Sequence, residues 1–471
     1  MDAAAEARMT GTLYDVAIIG GGPGGYGAAL YAANAGLSVA LIEKDRPGGT
    51  CLHRGCIPAK ALLETAHVAR TVAHAAEFGI GVEKGPIDFR RAQKRKQGIV
   101  EQLARGLSGL LKQRRVELIS GTGCLRGDGT VAVDGQRTIG ARHIILAAGS
   151  RPRTLDLCPA DGKRVLTSDE VLSLDKLPAS AIIVGAGVVG LEFASMMTDL
   201  GVKVTVLEAA TQVLPALDAD VAAVLLKDLT KRGVDIRTGV TLTGCETPGA
   251  SVRLSFEGGS AEAECVIVAI GRVPATEGLL DPASGVTIAR DGAIAVDATM
   301  RTSAPGIYAI GDVVATPQLA HVAFAEAMVA VKDILGEQPA PIDYGLVPWC
   351  VYTAPEAAFV GVTEAQAKAS GLDVIVKKES FAGNGRALIL GESDGLIKVI
   401  AKRGIDGRPG AILGVHMVGP WVTEQLAAAY LAANWEATPD DVAPLIFPHP
   451  SLSEALGEAF IALTGRGLHL P

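Results

Sequence analysis

Two segments of this 471-residue sequence follow the same order of residue types. The first, YDVAIIGGGPGGYGAALYAANAGLSVALIEKD, spans residues 14–45, and the second, SAIIVGAGVVGLEFASMMTDLGVKVTVLEAA, spans residues 180–210. Each runs from a short apolar stretch through a glycine-rich turn into a helical stretch, and then into a second apolar stretch that ends in an acid. Short apolar runs are typical of strands buried in a parallel sheet. The repeat therefore predicts an α/β chain with two βαβ units.

The glycines of both segments are spaced as G-x-G-x-x-G, and the acid lies 23 residues after the first glycine (20 to 43 and 185 to 208). Such glycines allow a tight turn and a close approach of the backbone to a pyrophosphate at the N-terminus of the next helix. The acid accepts hydrogen bonds from the adenosine ribose. Because a carboxylate repels a 2′-phosphate, the second site is expected to favour NAD over NADP. The predicted residues are Gly20, Gly22, Gly25 and Glu43 in the first site and Gly185, Gly187, Gly190 and Glu208 in the second.

Three shorter stretches run from apolar residues into glycine, as expected where a strand ends beside a nucleotide. They are IILAAGS (residues 144–150), VIVAIGRVPAT (residues 266–276) and GIYAIGDV (residues 306–313). In the third, the carboxylate of Asp312 could accept hydrogen bonds from the hydroxyls of a polyol such as ribityl. Its alternative role is to cap the helix predicted in residues 318–335.

The segment GGTCLHRGCIPAKALL, residues 48–63, holds Cys51 and Cys56, two of the seven cysteines. A zinc site is disfavoured, because it needs further ligands and His53 is the only nearby candidate. A buried thiol pair and a structural staple are alternatives, although closing so small a loop constrains the unfolded chain little. Positions i and i+5 point about 140° apart on a regular helix. A redox disulfide therefore needs a helix that begins or is distorted here, which Gly55 permits, and the helix N-terminus and Lys60 would lower a cysteine pKa.

A redox disulfide also needs an electron source and a group that moves thiol protons. A flavin in the first dinucleotide fold, supplied by NADH in the second, would provide the electrons. In FPHPSLSEALGEAF, residues 447–460, His449 precedes Pro450, and Glu454 follows within reach of the imidazole. A histidine oriented by a carboxylate is a common general base. The alternative is a capping histidine on an interface helix.

Composition argues against several other classes of protein. The formal net charge of −8 gives no support to binding of nucleic acid or an anionic membrane. No uncharged apolar run reaches the about 18 residues of a transmembrane helix. Seven cysteines in so long a chain do not form a disulfide scaffold. Because the N-terminal segment also lacks the apolar core of a secretory signal, the expected location is the bacterial cytoplasm.

Taken together, these motifs resemble those of the flavin-dependent pyridine nucleotide–disulfide oxidoreductases. The cysteine segment is similar to the active-site segment of that family. Further motifs occur in the family's order over nearly the whole chain: GGGPGG, GAGVVGLEFAS, AIGRVP, GIYAIGD, VYTAPEAAFVG, LGVHMVGP and HPSLSE. The resemblance implies an α/β fold with two Rossmann-like dinucleotide-binding domains plus a C-terminal α+β dimerisation domain.

The predicted domain boundaries follow the same motifs. An FAD-binding domain occupies residues 1–150, with a helical insertion at about residues 64–113, and returns as a central part in residues 275–344. An NAD-binding domain occupies residues 151–274. The dimerisation domain occupies residues 345–471.

The resemblance implies roles for individual residues. Cys56 would lie against the flavin as the charge-transfer thiol, Cys51 would exchange with the substrate sulfurs, and Lys60 would pair with Glu192 near the flavin. The residues implied for FAD are Gly20, Gly22, Gly25, Glu43, Lys44, Gly49, Thr50, Lys60, Gly123, Ala148, Gly149, Ser150, Asp312, Gln318, Leu319, Ala320 and His321. Those implied for NAD are Gly185, Gly187, Val188, Val189, Gly190, Glu192, Glu208, Val240, Gly271 and Arg272.

The implied activity is the oxidation of protein-bound dihydrolipoyl groups through a Cys51–Cys56 disulfide and FAD, with reduction of NAD+ to NADH. The enzyme would serve 2-oxoacid dehydrogenase or glycine cleavage complexes, and its partners would be the lipoyl domains of acyltransferase or carrier proteins. In the implied homodimer, His449 and Glu454 reach the disulfide of the other subunit. No metal is expected.

Three other functions are alternatives. A reductase of glutathione or a similar small disulfide usually prefers NADPH, which Glu208 disfavours. A mercuric ion reductase uses a C-terminal cysteine pair, and no cysteine follows Cys350. A catalytically silent flavoprotein within a larger assembly would not need the cysteines and the histidine together. Four positions depart from common family residues near the disulfide, namely His53, Arg54, Ala59 and Phe447.

Overall fold

The computed structural model describes residues 13–83 and 85–469, so most of the N-terminal segment lies outside the described residues. The first predicted βαβ unit is formed by β1 (Leu13–Ile19), α1 (Pro23–Asn34) and β2 (Val39–Glu43). β1 and β2 pair in parallel. Both strands are almost wholly apolar and buried, as expected for a parallel sheet covered on both faces.

A helical insertion follows β2. It consists of α2 (Gly49–Arg54), α3 (Cys56–Ala73), a 3₁₀ turn (Ala75–Phe78) and α4 (Phe89–Gln113). The sequence-based start near residue 64 is too late, because one helix runs without interruption from Cys56. The helices of the insertion therefore begin in the cysteine segment itself.

The chain then completes the first sheet. Its strands are β3 (Glu117–Ser120), β4 (Gly123–Leu125), β5 (Val131–Val133) and β6 (Arg137–Leu146), after which a short β7 (Ser150–Pro152) leaves the sheet. The order is β3-β2-β1-β6-β5-β4. The first four strands are parallel, and β5 and β4 extend the sheet in antiparallel fashion.

The second predicted unit forms a separate parallel sheet. Its elements are β8 (Val165–Leu166), α5 (Ser168–Val171), β9 (Ser180–Val184), α6 (Val188–Asp199), β10 (Lys203–Leu207), α7 (Ala219–Lys231), β11 (Asp235–Arg237) and β15 (Cys265–Val268). The strand order is β11-β10-β9-β15-β8. An antiparallel meander of β12 (Leu242–Glu246), β13 (Val252–Phe256) and β14 (Gly259–Ala263) covers one face. β16 (Arg272–Pro274) pairs with β7 and links the two folds.

The chain then returns to the first sheet. β17 (Ile307–Ala309) pairs in parallel with β6, and α8 (Ala320–Ile334) packs against α1. A 3₁₀ turn at Gly311–Val313 separates β17 from α8. The residues around Asp312 are thus brought to the same edge as the first glycine loop.

The last part is an antiparallel sheet with helices. Its strands are β18 (Trp349–Val351), β19 (Glu356–Gly361), β20 (Val374–Ser380), β21 (Leu396–Arg403) and β22 (Pro409–Gly419), in the order β18-β19-β22-β21-β20. The helices are α9 (Glu364–Ala369), α10 (Gly385–Leu390), α11 (Val422–Asn434), α12 (Pro439–Val442) and α13 (Ser453–Leu463). α11 and α13 share an apolar core with the sheet.

A buried ion cluster joins the second fold to this last part. Asp218 caps the N-terminus of α7, and its carboxylate also accepts the Glu364 N–H at the start of α9 (3.0 Å). The Lys398 ammonium, 2% exposed, lies 2.7 Å from Asp218, 2.6 Å from Asp220 and 2.6 Å from Glu364. We call these four side chains the Asp218 cluster. Because buried charges need partners on all sides, the cluster fixes how the two parts dock.

No helix in the described part of the chain is long and apolar enough to cross a membrane.

Candidate active site

Both glycine loops have the backbone shape that a close pyrophosphate requires. Gly20 and Gly185 have φ angles of 105° each, in the region that favours glycine. A Cβ on Gly20 would lie 2.3 Å from the carbonyl oxygen of Ala147, and one on Gly185 would lie 2.5 Å from that of Ala269. Each loop therefore packs directly on the end of a neighbouring strand, and its helix begins at the second glycine of the motif.

The two acids hold their loops in the same way. Glu43 accepts the Gly21 N–H at 2.6 Å with Oε2 and the Asp45 N–H at 2.8 Å with Oε1. Glu208 makes the equivalent pair of bonds within its own loop, also at 2.6 and 2.8 Å. A carboxylate has about four lone-pair sites, so ribose hydroxyls can still bind. In the sequence, Glu208 is followed by Ala209 and Ala210, so no cation stands directly after it to attract a 2′-phosphate.

Asp312 lies in a polar cluster at the edge of the first sheet. The Ser150 hydroxyl donates to Asp312 Oδ2 at 2.5 Å, and Arg272 Nε donates to Ser150 Oγ at 2.6 Å. Asp312 belongs to the 3₁₀ turn, whereas α8 begins after Leu319. The alternative role of Asp312 as the cap of this helix is therefore wrong. Arg272, predicted for the NAD side, contacts Ser150 and Asp312 at this edge.

A buried acid supports this turn and was missed from the sequence. Glu326 of α8 is fully buried and accepts the Gly311 N–H at 2.6 Å and the Tyr344 hydroxyl at 2.9 Å. Burial raises the pKa of Glu326. The available signal was an acid inside the otherwise apolar stretch VAFAEAMVAV, residues 322–331. Nearby, the Gln318 side chain donates to the Asp312 carbonyl at 3.4 Å, and His321 Nε2 donates to the Pro348 carbonyl at 2.9 Å.

The cysteine segment is fastened to the first glycine loop. The Gly48 N–H donates to the Gly21 carbonyl at 2.8 Å. A Cβ on Gly49 would lie 2.6 Å from the Cα of Gly22, so the two backbones touch. The helix is interrupted at Gly55, as expected, with Cys51 inside α2 and Cys56 as the first residue of α3. This break brings the two thiols together beside the dinucleotide site.

The two thiols are polarised in opposite directions. Both cysteines are free thiols, and the Cys51 thiol donates to the Cys56 sulfur. This hydrogen bond, helped by the Lys60 ammonium, lowers the pKa of Cys56 to about 7. The same hydrogen bond, together with burial, raises the pKa of Cys51. Near neutral pH, Cys56 is therefore the thiolate of the pair and Cys51 keeps its proton.

Lys60 is held at the meeting point of the three parts of the chain. Its Nζ lies 2.9 and 2.8 Å from the two carboxylate oxygens of Glu192, which is 3% exposed. Glu192 Oε1 also accepts the Tyr352 N–H at 3.0 Å, and the Lys60 ammonium lies 4.8 Å from the centre of the Tyr352 ring. The sequence did not single out Tyr352, because nothing local marks its contact with α3.

His449 and Glu454 form the expected pair. His449 Nδ1 lies 2.7 Å from Glu454 Oε1, and the Ser451 N–H donates to Glu454 Oε2 at 2.7 Å. Although burial opposes it, these bonds from Ser451 and His449 hold the pKa of Glu454 below its usual value. The imidazole is 80% exposed, and α13 packs on β20, β21 and α12. Among the described residues, no hydrogen bond or ion pair joins this histidine to the cysteine segment of the same chain.

The remaining predicted residues lie in strands, at strand ends or at the first turns of helices. Gly123 packs against Ile19, and the Val240 N–H donates to the Glu208 carbonyl at 2.9 Å. Lys44 is exposed just after β2. The others lie at turns or at the first turns of helices: Thr50 in α2, Ala148 and Gly149 after β6, Val188 and Val189 in α6, Gly271 before β16, and Leu319 and Ala320 at α8. In the described part of the chain, no group of three or more His, Cys, Asp or Glu side chains could hold a metal ion.

One disulfide is present among the described residues, and the sequence did not predict it. It joins Cys158 to Cys245, 87 residues apart, in the second fold.

Comparison with known families decides the relationship. Residues 14–327 match the pyridine nucleotide-disulphide oxidoreductase family, and residues 347–460 match its dimerisation domain. The chain belongs to the pyridine nucleotide-disulphide oxidoreductase family. FAD and NAD(H) are its cofactors. The two glycine loops fit their pyrophosphates, because Gly20, Gly25, Gly185 and Gly190 leave no space for a Cβ and each loop stays close to the neighbouring backbone. The dimerisation domain supports a homodimer.

Within this family, the chain is similar to several relatives. It is 44% identical to a dihydrolipoyl dehydrogenase of Bacillus subtilis, covering 97% of this chain and 99% of the relative. It is 42% identical to a dihydrolipoyl dehydrogenase of Thermus scotoductus with the same coverage. Its fold is similar to the crystal structure of LpdA from Mycobacterium tuberculosis, with a TM-score of 0.87, 30% identity and coverage of 95% and 99%. The HOCl-induced flavoprotein disulfide reductase RclA of Escherichia coli, in a Cu(II) complex, gives a TM-score of 0.87 at 29% identity, with coverage of 96% and 100%.

Proposed function

We propose that this chain oxidises protein-bound dihydrolipoyl groups to lipoyl groups and reduces NAD+ to NADH. The observation that carries the proposal is the polarised Cys51–Cys56 dithiol, fastened to the first glycine loop by the Gly48–Gly21 hydrogen bond. Relatives with the activity of a dihydrolipoyl dehydrogenase, up to 44% identical over nearly the whole chain, indicate the substrate class.

The two cysteines divide the thiol chemistry. A substrate thiolate attacks the Cys51 sulfur of the oxidised pair, the disulfide breaks, and Cys56 leaves as a thiolate, the form that its pKa of about 7 favours. The second substrate thiolate then attacks the substrate sulfur in the mixed disulfide, and Cys51 leaves and takes up a proton. Bound FAD would accept the two electrons released when the cysteine pair is oxidised back to the disulfide, and NAD+ would be the final electron acceptor. Lys60 stabilises the thiolate, and Glu192 holds Lys60.

His449 is the base in this scheme. Its Nε2 takes a proton from the attacking substrate thiol, while Glu454 orients the ring through Nδ1. Because the imidazole is exposed and packs away from the cysteine segment of its own chain, we assign it to the cysteine pair of the partner subunit. The active site is then complete only in the homodimer, and lipoyl domains of acyltransferase or carrier proteins are the partners.

The remaining assignments are part of the same proposal. The cofactor-binding residues are those named from the sequence, and the Arg272 side chain is positioned by Ser150 and Asp312. The domain division at residues 150, 274 and 344 is supported by β17, which returns the chain to the first sheet. The cytoplasm is the proposed location, and 2-oxoacid dehydrogenase or glycine cleavage complexes are the proposed assemblies.

A steady-state comparison tests the proposal. The purified enzyme is assayed with dihydrolipoamide and NAD+ and, in the reverse direction, with lipoamide or glutathione disulfide and either NADH or NADPH. We expect the highest kcat/KM with the lipoyl substrate and NAD(H). A higher kcat/KM with glutathione disulfide and NADPH would contradict it, and absence of turnover with any pair would support a silent flavoprotein. A Cys265→Ser variant, which alters a buried cysteine outside the pair, serves as the control.

A further inference from the structure

The disulfide between Cys158 and Cys245 lies outside the site described above. Cys158 is fully buried in the connection that enters the second fold, and Cys245 is half-buried in β12. Their Cα atoms are 5.4 Å apart, within the usual range for a disulfide. The other five cysteines, including Cys51 and Cys56, are free. The chain thus has a second cysteine pair that the proposed reaction does not use.

The bond crosses one apolar layer. Cys158 and Cys245 belong to the apolar cluster between the β12–β14 meander and the parallel sheet of the second fold. This layer also contains Val240, a predicted NAD-binding residue, and Ile270, which precedes the predicted residue Gly271. The catalytic cysteines, in contrast, lie at the break between α2 and α3 in the first fold.

Each cysteine of the disulfide lies in a segment that is hydrogen-bonded to a residue of the second dinucleotide site. The connection that carries Cys158 begins where the Arg153 N–H donates to the Gly271 carbonyl at 2.9 Å. The strand that carries Cys245 follows Val240, whose N–H donates to the Glu208 carbonyl at 2.9 Å. The disulfide therefore bridges the segment beside Gly271 and the segment beside Glu208.

We propose that Cys158–Cys245 is a redox-modifiable brace of the NAD site, closed by small disulfides or peroxide and opened by small thiols, and independent of the catalytic pair. The inference goes beyond the proposed function and does not rest on the identity of the disulfide substrate.

The exchange follows from the different exposure of the two sulfurs. An incoming small thiolate reaches half-buried Cys245, forms a mixed disulfide there and releases Cys158, which takes up a proton. A second small thiolate attacks the small-molecule sulfur of the mixed disulfide and releases Cys245, which also takes up a proton. Two small thiols are oxidised to one small disulfide, and the protein gains two electrons and two protons. Closure with a small disulfide is the reverse sequence, and with hydrogen peroxide the two thiols give the disulfide and two waters.

Thiol counting on the full-length holoenzyme tests the brace. The enzyme is treated with glutathione disulfide to close the bond, freed of the reagent, reduced anaerobically with NADH, quenched in acid, denatured and alkylated. Of the seven cysteines, we expect five to be alkylated, because NADH opens only the catalytic pair, and a peptide pair linked through Cys158 and Cys245 to remain. Alkylation of all seven would overturn the proposal. If NADH does not reduce the catalytic pair, only three cysteines are alkylated and the linked peptide pair is retained. Failure of the proposed function can therefore be distinguished from failure of the proposed brace.

Kinetics test the effect of the brace on NAD. After treatment of the native enzyme with a small thiol and its removal, we expect the KM for NAD+ to rise severalfold with kcat unchanged, and to return after treatment with glutathione disulfide. A Cys158→Ser variant should show the raised KM without treatment and no further response. Cys265→Ser, a buried free cysteine of the same fold, should respond as the unmodified enzyme does. An unchanged KM for NAD+ after confirmed opening of the disulfide would contradict the proposed bracing role.

Discussion

The ammonium of Lys60 and the carboxylate of Glu192 form a two-point ion pair at 2.9 and 2.8 Å, and the backbone of Tyr352 closes it from a third direction. The three residues belong to α3, to α6 and to the turn after β18. The charge beside the cysteine pair is therefore set by all three parts of the chain at once.

Substitution of these two residues should move the Cys56 pKa in opposite directions. Lys60 lowers the pKa of Cys56 and Glu192 raises it. We therefore expect slower iodoacetamide alkylation of the reduced enzyme at pH 6.5 in Lys60→Met and faster alkylation in Glu192→Gln. In the unmodified enzyme, the rate should fall about tenfold for each pH unit below about 7, because only the thiolate reacts. A change of the alkylation rate in the same direction in both variants would contradict this account.

Removal of the His449 imidazole should lower turnover. General acid–base groups contribute about 10²- to 10⁴-fold, so His449→Gln should reduce kcat with dihydrolipoamide by about that factor while FAD content stays unchanged. The chain offers a matched control in His469, which is equally exposed at 80% and pairs with Glu458 at 3.1 Å. His469→Gln should retain kcat within about twofold. Equal losses in both variants would remove His449 from the mechanism.

Substitution of Glu43 should affect the binding of FAD, and substitution of Glu208 should affect the binding of NAD+. They hold equivalent loops by hydrogen bonds of the same length. We expect Glu208→Gln to raise the KM for NAD+ and to narrow the preference for NAD+ over NADP+, with FAD retained on gel filtration. Glu43→Gln should instead release FAD on dilution while leaving the NAD+ preference of the remaining holoenzyme unchanged. An unchanged nicotinamide preference in Glu208→Gln would argue against the second loop as the NAD site.

The Asp218 cluster should dominate the docking of the second fold on the C-terminal part. Lys398→Met leaves three carboxylates without their buried cation, and breaking such a pair costs about 3–5 kcal/mol. Lys378 pairs with the same Asp220 at 2.7 Å but is half exposed, so Lys378→Met should cost less than about 1 kcal/mol. Urea unfolding of the two variants measures the difference. Equal free energies of unfolding would contradict the assigned role.

The Asp218 cluster should also make the free energy of unfolding depend on pH. Hydrogen bonds from Lys378 and Lys398 lower the pKa of Asp220, and those from Lys368 and Lys398 lower the pKa of Glu364. A carboxylate whose pKa is lower in the folded state stabilises the fold above its unfolded pKa of about 4, and this contribution is lost as the pH falls through the folded value. The free energy of unfolding should therefore fall less steeply with acid in Lys398→Met than in the unmodified protein.

The features that could be predicted from the sequence are those built within one short segment. The two glycine loops, their acids and the helix break at Gly55 each depend on residues close together in the chain. The Lys60–Glu192 pair followed only from the family resemblance, because 132 residues separate its members. Nothing local marks Cys158 and Cys245 as partners, because 87 residues separate them and only the folded second domain brings them together. The proximity of Asp218 and Lys398 arises only when the second fold docks on the C-terminal part. The contacts of Arg272 with Ser150 and Asp312 could not be read from the sequence either, because more than 35 residues separate Arg272 from each of them.

Phe193 of α6, Leu62 of α3 and Phe359 of β19 lie in one continuous apolar cluster. The NAD-binding fold therefore cannot be exchanged on its own for that of another protein, because it shares this cluster with the other two parts of the chain, although its sheet is formed from its own strands. A graft that replaced it with the equivalent fold of another dehydrogenase would transfer nucleotide preference only if the faces presented to α3 and β19 were transferred with it. Coenzyme preference in this chain is therefore more readily altered by substitutions within the loop at Glu208 than by exchange of the whole fold.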